Sequence, residues 1–289
     1  MNHKSRSFST ATYTQNQAPG RNSVTTVWNL GSVISRTIIF CSALFLLAGS
    51  SVSAQTAAPA PVKNIILVHG AWADGSSWSK VIPILEAHGL HVVAVQNPLT
   101  SLADDVAATK RAIALADGPV ILVGHSYGGV VITEAGNDPK VVGLVFVSAF
   151  APDAGENGLG LTKPYPPAPL GSELRPDAQG FLKVTSEGIA NDFAQDLSPA
   201  EKKLLFATQG PTNIAALQGN VTTAAWKTRP TWFVIAANDR AIPPELEKAE
   251  AARMKSATIT VSSSHVAMLA KPAEVSALIV KAATNPGSK

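Results

Sequence analysis

Apolar, β-branched residues gather in short runs bounded by turn formers at residues 64–68, 91–95, 120–123, 141–147, 231–236 and 258–261, each with the length of a strand. Between the runs, apolar positions recur at helical spacing over residues 77–88, 102–116, 127–136, 244–255 and 272–283. Strands that alternate with helices predict parallel neighbours, because a parallel pair needs a crossover connection. The predicted fold class is α/β, with a mostly parallel six-stranded sheet flanked by helices.

Residues 151–226 break the alternation. They carry no pattern of a buried strand, a Pro-rich loop at 163–169, and short amphipathic pieces at 181–193, 199–208 and 213–218. Phe181, Leu182, Phe193, Leu204, Leu205 and Phe206 argue against a solvated linker. The expectation is a helical cap inserted after the fourth strand, because so long an irregular stretch in a compact domain usually serves a site.

The first 54 residues follow a different pattern. They hold no Asp or Glu, carry Lys4, Arg6, Arg21 and Arg36, and end in an apolar run at 38–48 followed by Val52-Ser53-Ala54. This is the layout of a secretory signal peptide with a long basic region, cleaved after Ala54, and its apolar core is short of the roughly 20 residues of a span. Export to the periplasm or medium of a bacterial cell is expected, with no stable membrane anchor after cleavage. Residues 2–29 are polar and without periodicity; translation starting at the position read as Val33 leaves a leader of ordinary proportions. A linker at 55–62 then leads into one domain at 63–289, long enough for a sizeable core.

Removing the leader changes the charge picture. Four of the 23 Lys and Arg lie in it and none of the 20 Asp and Glu, so 19 basic groups face 20 acidic ones and the remainder is near −1. No basic cluster survives to track phosphates, which argues against a nucleic-acid partner. The single cysteine, Cys41, leaves with the leader, so neither disulfides nor Cys-ligated metal are expected.

Candidate chemistry begins at Gly124-His125-Ser126-Tyr127-Gly128, a G-x-S-x-G segment between a strand run and a helix pattern. Its glycines permit the tight turn that lifts a serine hydroxyl above a sheet edge. Ser126 is the candidate nucleophile. Asp239 and His265 each follow a later strand run, where loops at strand C-termini converge, and supply an orienting carboxylate and a base in the order Ser, Asp, His. Asp153, after the fourth strand, is the alternative acid. His69-Gly70-Ala71-Trp72 follows the first strand; the backbone N–H groups of Ala71 and Tyr127 are the expected oxyanion donors, and Trp72 a pocket wall. His69 and His125 are read as ordering the backbone, Trp78 as packing, and Asp74 as a helix cap.

Four segments carry a resemblance: 69–72 (HGAW), 124–129 (GHSYGG), 238–243 (NDRAIP) and 265–272 (HVAMLAKP). From Lys63 onward the chain resembles the compact branch of α/β-hydrolases that contains plant methylesterases, hydroxynitrile lyases and bacterial esterases. The resemblance implies a sheet that begins at the third strand of the full fold. Cyanohydrin-cleaving members typically carry Thr after the His of the first loop and Lys after the catalytic His, where this chain has Gly70 and Val266. The expected activity is therefore serine hydrolysis of small uncharged carboxylic esters, without metal or organic cofactor; whether lactones are also cleaved is not legible in the sequence. A ligand-binding receptor on the same scaffold, with slow turnover, and a hydroxynitrile lyase are the alternatives. Acyl and alcohol identity and oligomeric state are not legible in the sequence.

Overall fold

The structure is a computed structural model that describes residues 61–287; the leader, its cleavage site, Val33, Cys41 and most of the linker lie outside the described residues. Six parallel strands form the central sheet: β1 (Asn64–Val68), β2 (His91–Val95), β3 (Val120–Ser126), β4 (Val141–Ala149), and, beyond the insertion, β8 (Thr231–Ala236) and β9 (Ala257–Val261). Their spatial order is β2-β1-β3-β4-β8-β9, and every neighbouring pair is parallel. The sheet is parallel throughout, where the sequence predicted a mostly parallel one.

Central strands β1, β3 and β8 are buried at every position, whereas edge strands β2 and β9 alternate with exposed residues. Helices on both faces account for this. Ile66, Val68, Leu122 and Phe146 point into one core layer, shared with α2 (Leu102–Leu115), α3 (Gly128–Ala135) and α8 (Pro244–Met254). Ile65, Leu67, Val123 and Val145 point into the other, shared with α1 (Ile82–Ala87) and α10 (Pro272–Thr284).

The helix expected over residues 77–88 is in fact two elements, a 3-10 turn at Gly75–Trp78 and α1. Pro83 is the cause: it lacks an N–H and its ring crowds the carbonyl four residues back, so it fits only the first turn of a new helix. Asp74 caps the 3-10 turn, accepting the Ser76 N–H at 2.7 Å.

The insertion leaves after β4 and returns at β8. It holds short helices α4 (Gly158–Thr162) and α5 (Ser186–Gly188), a π-helical turn at Ile189–Phe193, then α6 (Pro199–Thr208) and α7 (Ile214–Gln218). It also contains a small antiparallel sheet, β5 (Leu174–Pro176), β6 (Phe181–Val184) and β7 (Thr212–Asn213). That corrects the all-helical expectation: residues 181–184 form a strand. The β5–β6 turn is built by Asp177, whose Oδ1 accepts the N–H groups of Gln179 and Phe181, and by Gly180 at φ +80°.

Candidate active site

Ser126 ends β3 at φ +53°, a left-handed conformation that a serine adopts only where the surroundings impose it. The turn is tight because three backbones meet there. A Cβ on Gly128 would lie 2.4 Å from the Val68 carbonyl oxygen, and one on Gly129 would lie 2.2 Å from that of Phe150. Only glycine lets β1 and the end of β4 close on the elbow. Tyr127 caps α3, so the helix N-terminus lies directly beyond the serine.

The Tyr127 side chain turns away from the site. Its hydroxyl donates to Asp105 Oδ2 at 2.8 Å, and Asp105 Oδ1 accepts the Leu99 N–H at 2.8 Å. Burial pushes Asp105 up to about 6 despite those two bonds, and burial together with Asp105 raises the Tyr127 phenol far above its ordinary value. Asp105 lies on the buried stripe of α2 at helical spacing from Leu102, Thr109 and Ile113. A carboxylate on an apolar stripe is a signal legible in the sequence, since the helical spacing alone places Asp105 inward.

His265 follows β9 and Asp239 follows β8. His265 Nδ1 donates to Asp239 Oδ2 at 2.6 Å, with both side chains sealed from solvent. Asp239 Oδ1 accepts the N–H groups of Ala241 at 2.7 Å and Ile242 at 2.8 Å, which fixes the carboxylate plane. With Nδ1 engaged, Nε2 is the imidazole nitrogen left for chemistry. The ring packs 4.7 Å from His125 and 5.1 Å from Phe193.

Asp153 is elsewhere. It pairs with Lys227 at 2.6 Å near the surface and lines no part of the cavity that holds Ser126 and His265.

The two other histidines order the backbone. His125 Nε2–H donates to the His265 carbonyl at 3.0 Å, so its buried Nδ1 is the acceptor nitrogen. Burial, reinforced by His265, holds it well below the usual imidazole value. His69 Nδ1–H donates to the Gly70 carbonyl and Nε2 accepts the Asn97 N–H, both at 2.9 Å, and burial lowers its basicity as well. Trp78 is fully buried, edge-on to His125.

At the first loop, Trp72 adopts φ +55°, and its N–H donates to Thr212 Oγ1 of β7 at 3.0 Å. Its indole N–H donates to the Leu182 carbonyl of β6 at 3.1 Å, so Trp72 ties the loop to the cap sheet as well as lining the cavity. The N–H groups of Ala71 and Tyr127, which flank Ser126, have no such acceptor among the described residues.

Ser126, His265, Ala71, Trp72 and Tyr127 open onto one cavity of about 380 Å³. Phe150, Leu159, Leu170, Leu174, Leu217 and Ile242 make most of its remaining wall apolar, and Lys163 brings a positive charge to its rim. Another cleft of about 530 Å³, lined by Glu156, Glu250 and Arg253 among others, contains none of the three residues. Among the described residues, no cluster of three or more His, Cys, Asp or Glu is placed to hold a metal ion.

A parallel sheet carrying a strained serine at a strand-to-helix turn, with a His–Asp pair delivered by the ends of β8 and β9, defines an α/β-hydrolase scaffold. The model of the Alpha/beta hydrolase family matches residues 65–278, and the chain belongs to that family. It is similar to salicylic acid-binding protein 2 of Nicotiana tabacum, 27% identical over 76% of this chain and 97% of the relative. It is also similar to methylesterase 1 of Arabidopsis thaliana, 29% identical over 64% and 82%. Among solved structures, a pyrethroid hydrolase from Sphingobium faniae JZ-2 superposes with a TM-score of 0.66 at 22% identity, covering 78% of this chain and 98% of that one. The esterase-branch resemblance read from the four sequence segments is upheld.

Proposed function

We propose that this carboxylic ester hydrolase cleaves small uncharged esters, lactones included, through Ser126, His265 and Asp239. The observation that carries the reading is the 2.6 Å Asp239–His265 pair, whose imidazole lines one apolar cavity with Ser126. Ser126 Oγ attacks the acyl carbon while His265 Nε2 takes its proton, and the imidazolium is stabilised by Asp239. The N–H groups of Ala71 and Tyr127 receive the oxyanion, aided by the α3 N-terminus. His265 then protonates the leaving alcohol, and water, deprotonated by His265, releases the acid from the acyl-enzyme.

The cavity volume suits a compact acyl or aryl group, and its aliphatic wall favours uncharged ones. Gly70 supports hydrolysis over cyanohydrin cleavage: a Cβ there would lie 2.6 Å from that of Ser126, so the Thr typical of the lyases has no room. The test is kcat/KM across p-nitrophenyl esters of rising acyl length, with mandelonitrile and a peptide amide as controls. Rates should climb until the cavity is full, with no cyanide released; preference for charged esters overturns the reading. The name of the tobacco relative supports a second reading, a slowly turning-over ligand binder, which steady multiple turnover of the short esters excludes. Export rests on the leader pattern of residues 1–54.

A further inference from the structure

Glu247 lies in the first turn of α8, eight residues after Asp239, and is completely buried. Its Oε2 accepts the N–H of Ala236, the last residue of β8, at 2.9 Å. Its Oε1 is buried and meets no donor among the described residues. The Asp239 carboxylate is its neighbour: the Asp239 N–H donates to the carbonyl of the same Ala236 at 3.2 Å, and the Asp239 charge acts on the Glu247 carboxyl. Two ionised carboxylates cannot share such a position, because each removes the solvation of the other and both repel.

We propose that Glu247 is held as a neutral carboxylic acid whose Oε1–H donates to Asp239, making Glu247 a positioning residue for the triad. The inference rests on Asp239 being the triad acid. The assignment satisfies every atom: Oε2 keeps the Ala236 N–H, Oε1 gains an acceptor, and Asp239 receives a further donor beside Ala241, Ile242 and His265. Burial first, then the charges of Asp239 and Glu250, hold the Glu247 carboxyl well above the usual range, which keeps its proton in place. The consequence is mechanical. Asp239 sits on a loop, and the Glu247 hydroxyl ties it to the rigid start of α8 and the end of β8, so the carboxylate stays aimed at His265 as the imidazole gains and loses its proton.

The test compares Glu247→Gln, Glu247→Met and Asp239→Asn in the full chain. The Gln amide reproduces both bonds, N–H to Asp239 and carbonyl to Ala236, and should retain kcat within about threefold. Met fills similar volume without a donor and should lower kcat by about ten- to hundredfold with KM little changed, the scale of one hydrogen bond to an ionised group. The low-field proton resonance of His265 Nδ1–H should persist in the Gln variant and shift in the Met variant. Infrared difference spectra of wild type against Glu247→Gln should show a protonated carboxyl C=O band at neutral pH, a readout that stands even if the Met variant does not fold. Absence of that band, or a Gln variant whose kcat falls tenfold or more, overturns the proposal. If Asp239→Asn cripples turnover and a folded Glu247→Met does not, this inference alone falls; if Asp239→Asn is silent, the triad reading falls with it.

Discussion

At the scale of single residues, the site depends on atoms that are missing as much as on those present. Gly70 has no room for a Cβ, which would press on Ser126 Cβ at 2.6 Å and on the His125 carbonyl at 2.9 Å. Gly70→Ala should therefore displace the nucleophile and cost about 100-fold or more in kcat/KM while the protein stays folded. A variant with wild-type kinetics contradicts the tight packing of that loop on the elbow. Asp239 and Asp153 separate in the same way. Asp239→Asn removes the acceptor that fixes His265 and should lower kcat by about 10⁴. Asp153→Asn breaks only a half-exposed pair with Lys227 and should leave turnover near wild type. Reversed outcomes would move the acid to the fourth strand.

At the scale of elements, the strands of the sheet were legible because each is a compact apolar, β-branched run bounded by turn formers; β1, β2 and β8 have the predicted bounds. The proposed triad was legible as three positions at strand ends, and the structure brings two of them, Asp239 and His265, into hydrogen-bond contact. The cap was legible as an insertion only. Its strands are two to four residues long, too short to show a period, and their pairing depends on contacts such as Thr212 to Trp72 that join residues 140 positions apart. The buried acids Glu247 and Glu250 are hidden for a related reason: on a helix of charged composition such as α8, a carboxylate on the inner stripe looks like any other.

Glu250 of α8 gives this scale its own prediction. Its Oε2 accepts the Ala151 N–H at 2.9 Å, and burial pushes it up to about 8 despite Arg253 beside it. A carboxyl whose folded value is raised binds its proton more tightly in the native state. Its contribution to stability is thus full at acid pH and is lost as pH rises from the ordinary Glu range, about 4.3, through 8. Glu250→Gln keeps the acceptor for Ala151 without the charge, so its Tm relative to wild type should rise from pH 5 to about pH 8 and level off above it. A difference that stays flat, or falls with pH, contradicts a buried carboxyl that loses its proton in this window.

At the scale of the whole molecule, the proposed catalytic device joins a sheet whose strand ends carry Ser126, Asp239 and His265, a cap that adds apolar wall to the cavity of Ser126 and His265, and a leader pattern that argues for export. Protein recovered from an expressing bacterium should begin at or near Gln55 and be found in the periplasm or medium; cytoplasmic protein with residues 1–54 intact contradicts export. The central claim, that Ser126 is the nucleophile of an ester hydrolase, is tested most directly by covalent trapping. The purified protein is treated with a fluorophosphonate and its adduct located by peptide mass spectrometry, alongside ester turnover by Ser126→Ala. The account predicts one adduct, on Ser126, absent from Ser126→Ala together with a kcat loss of about 10⁴ or more; an adduct on another residue, or a Ser126→Ala protein that still turns over esters, contradicts it.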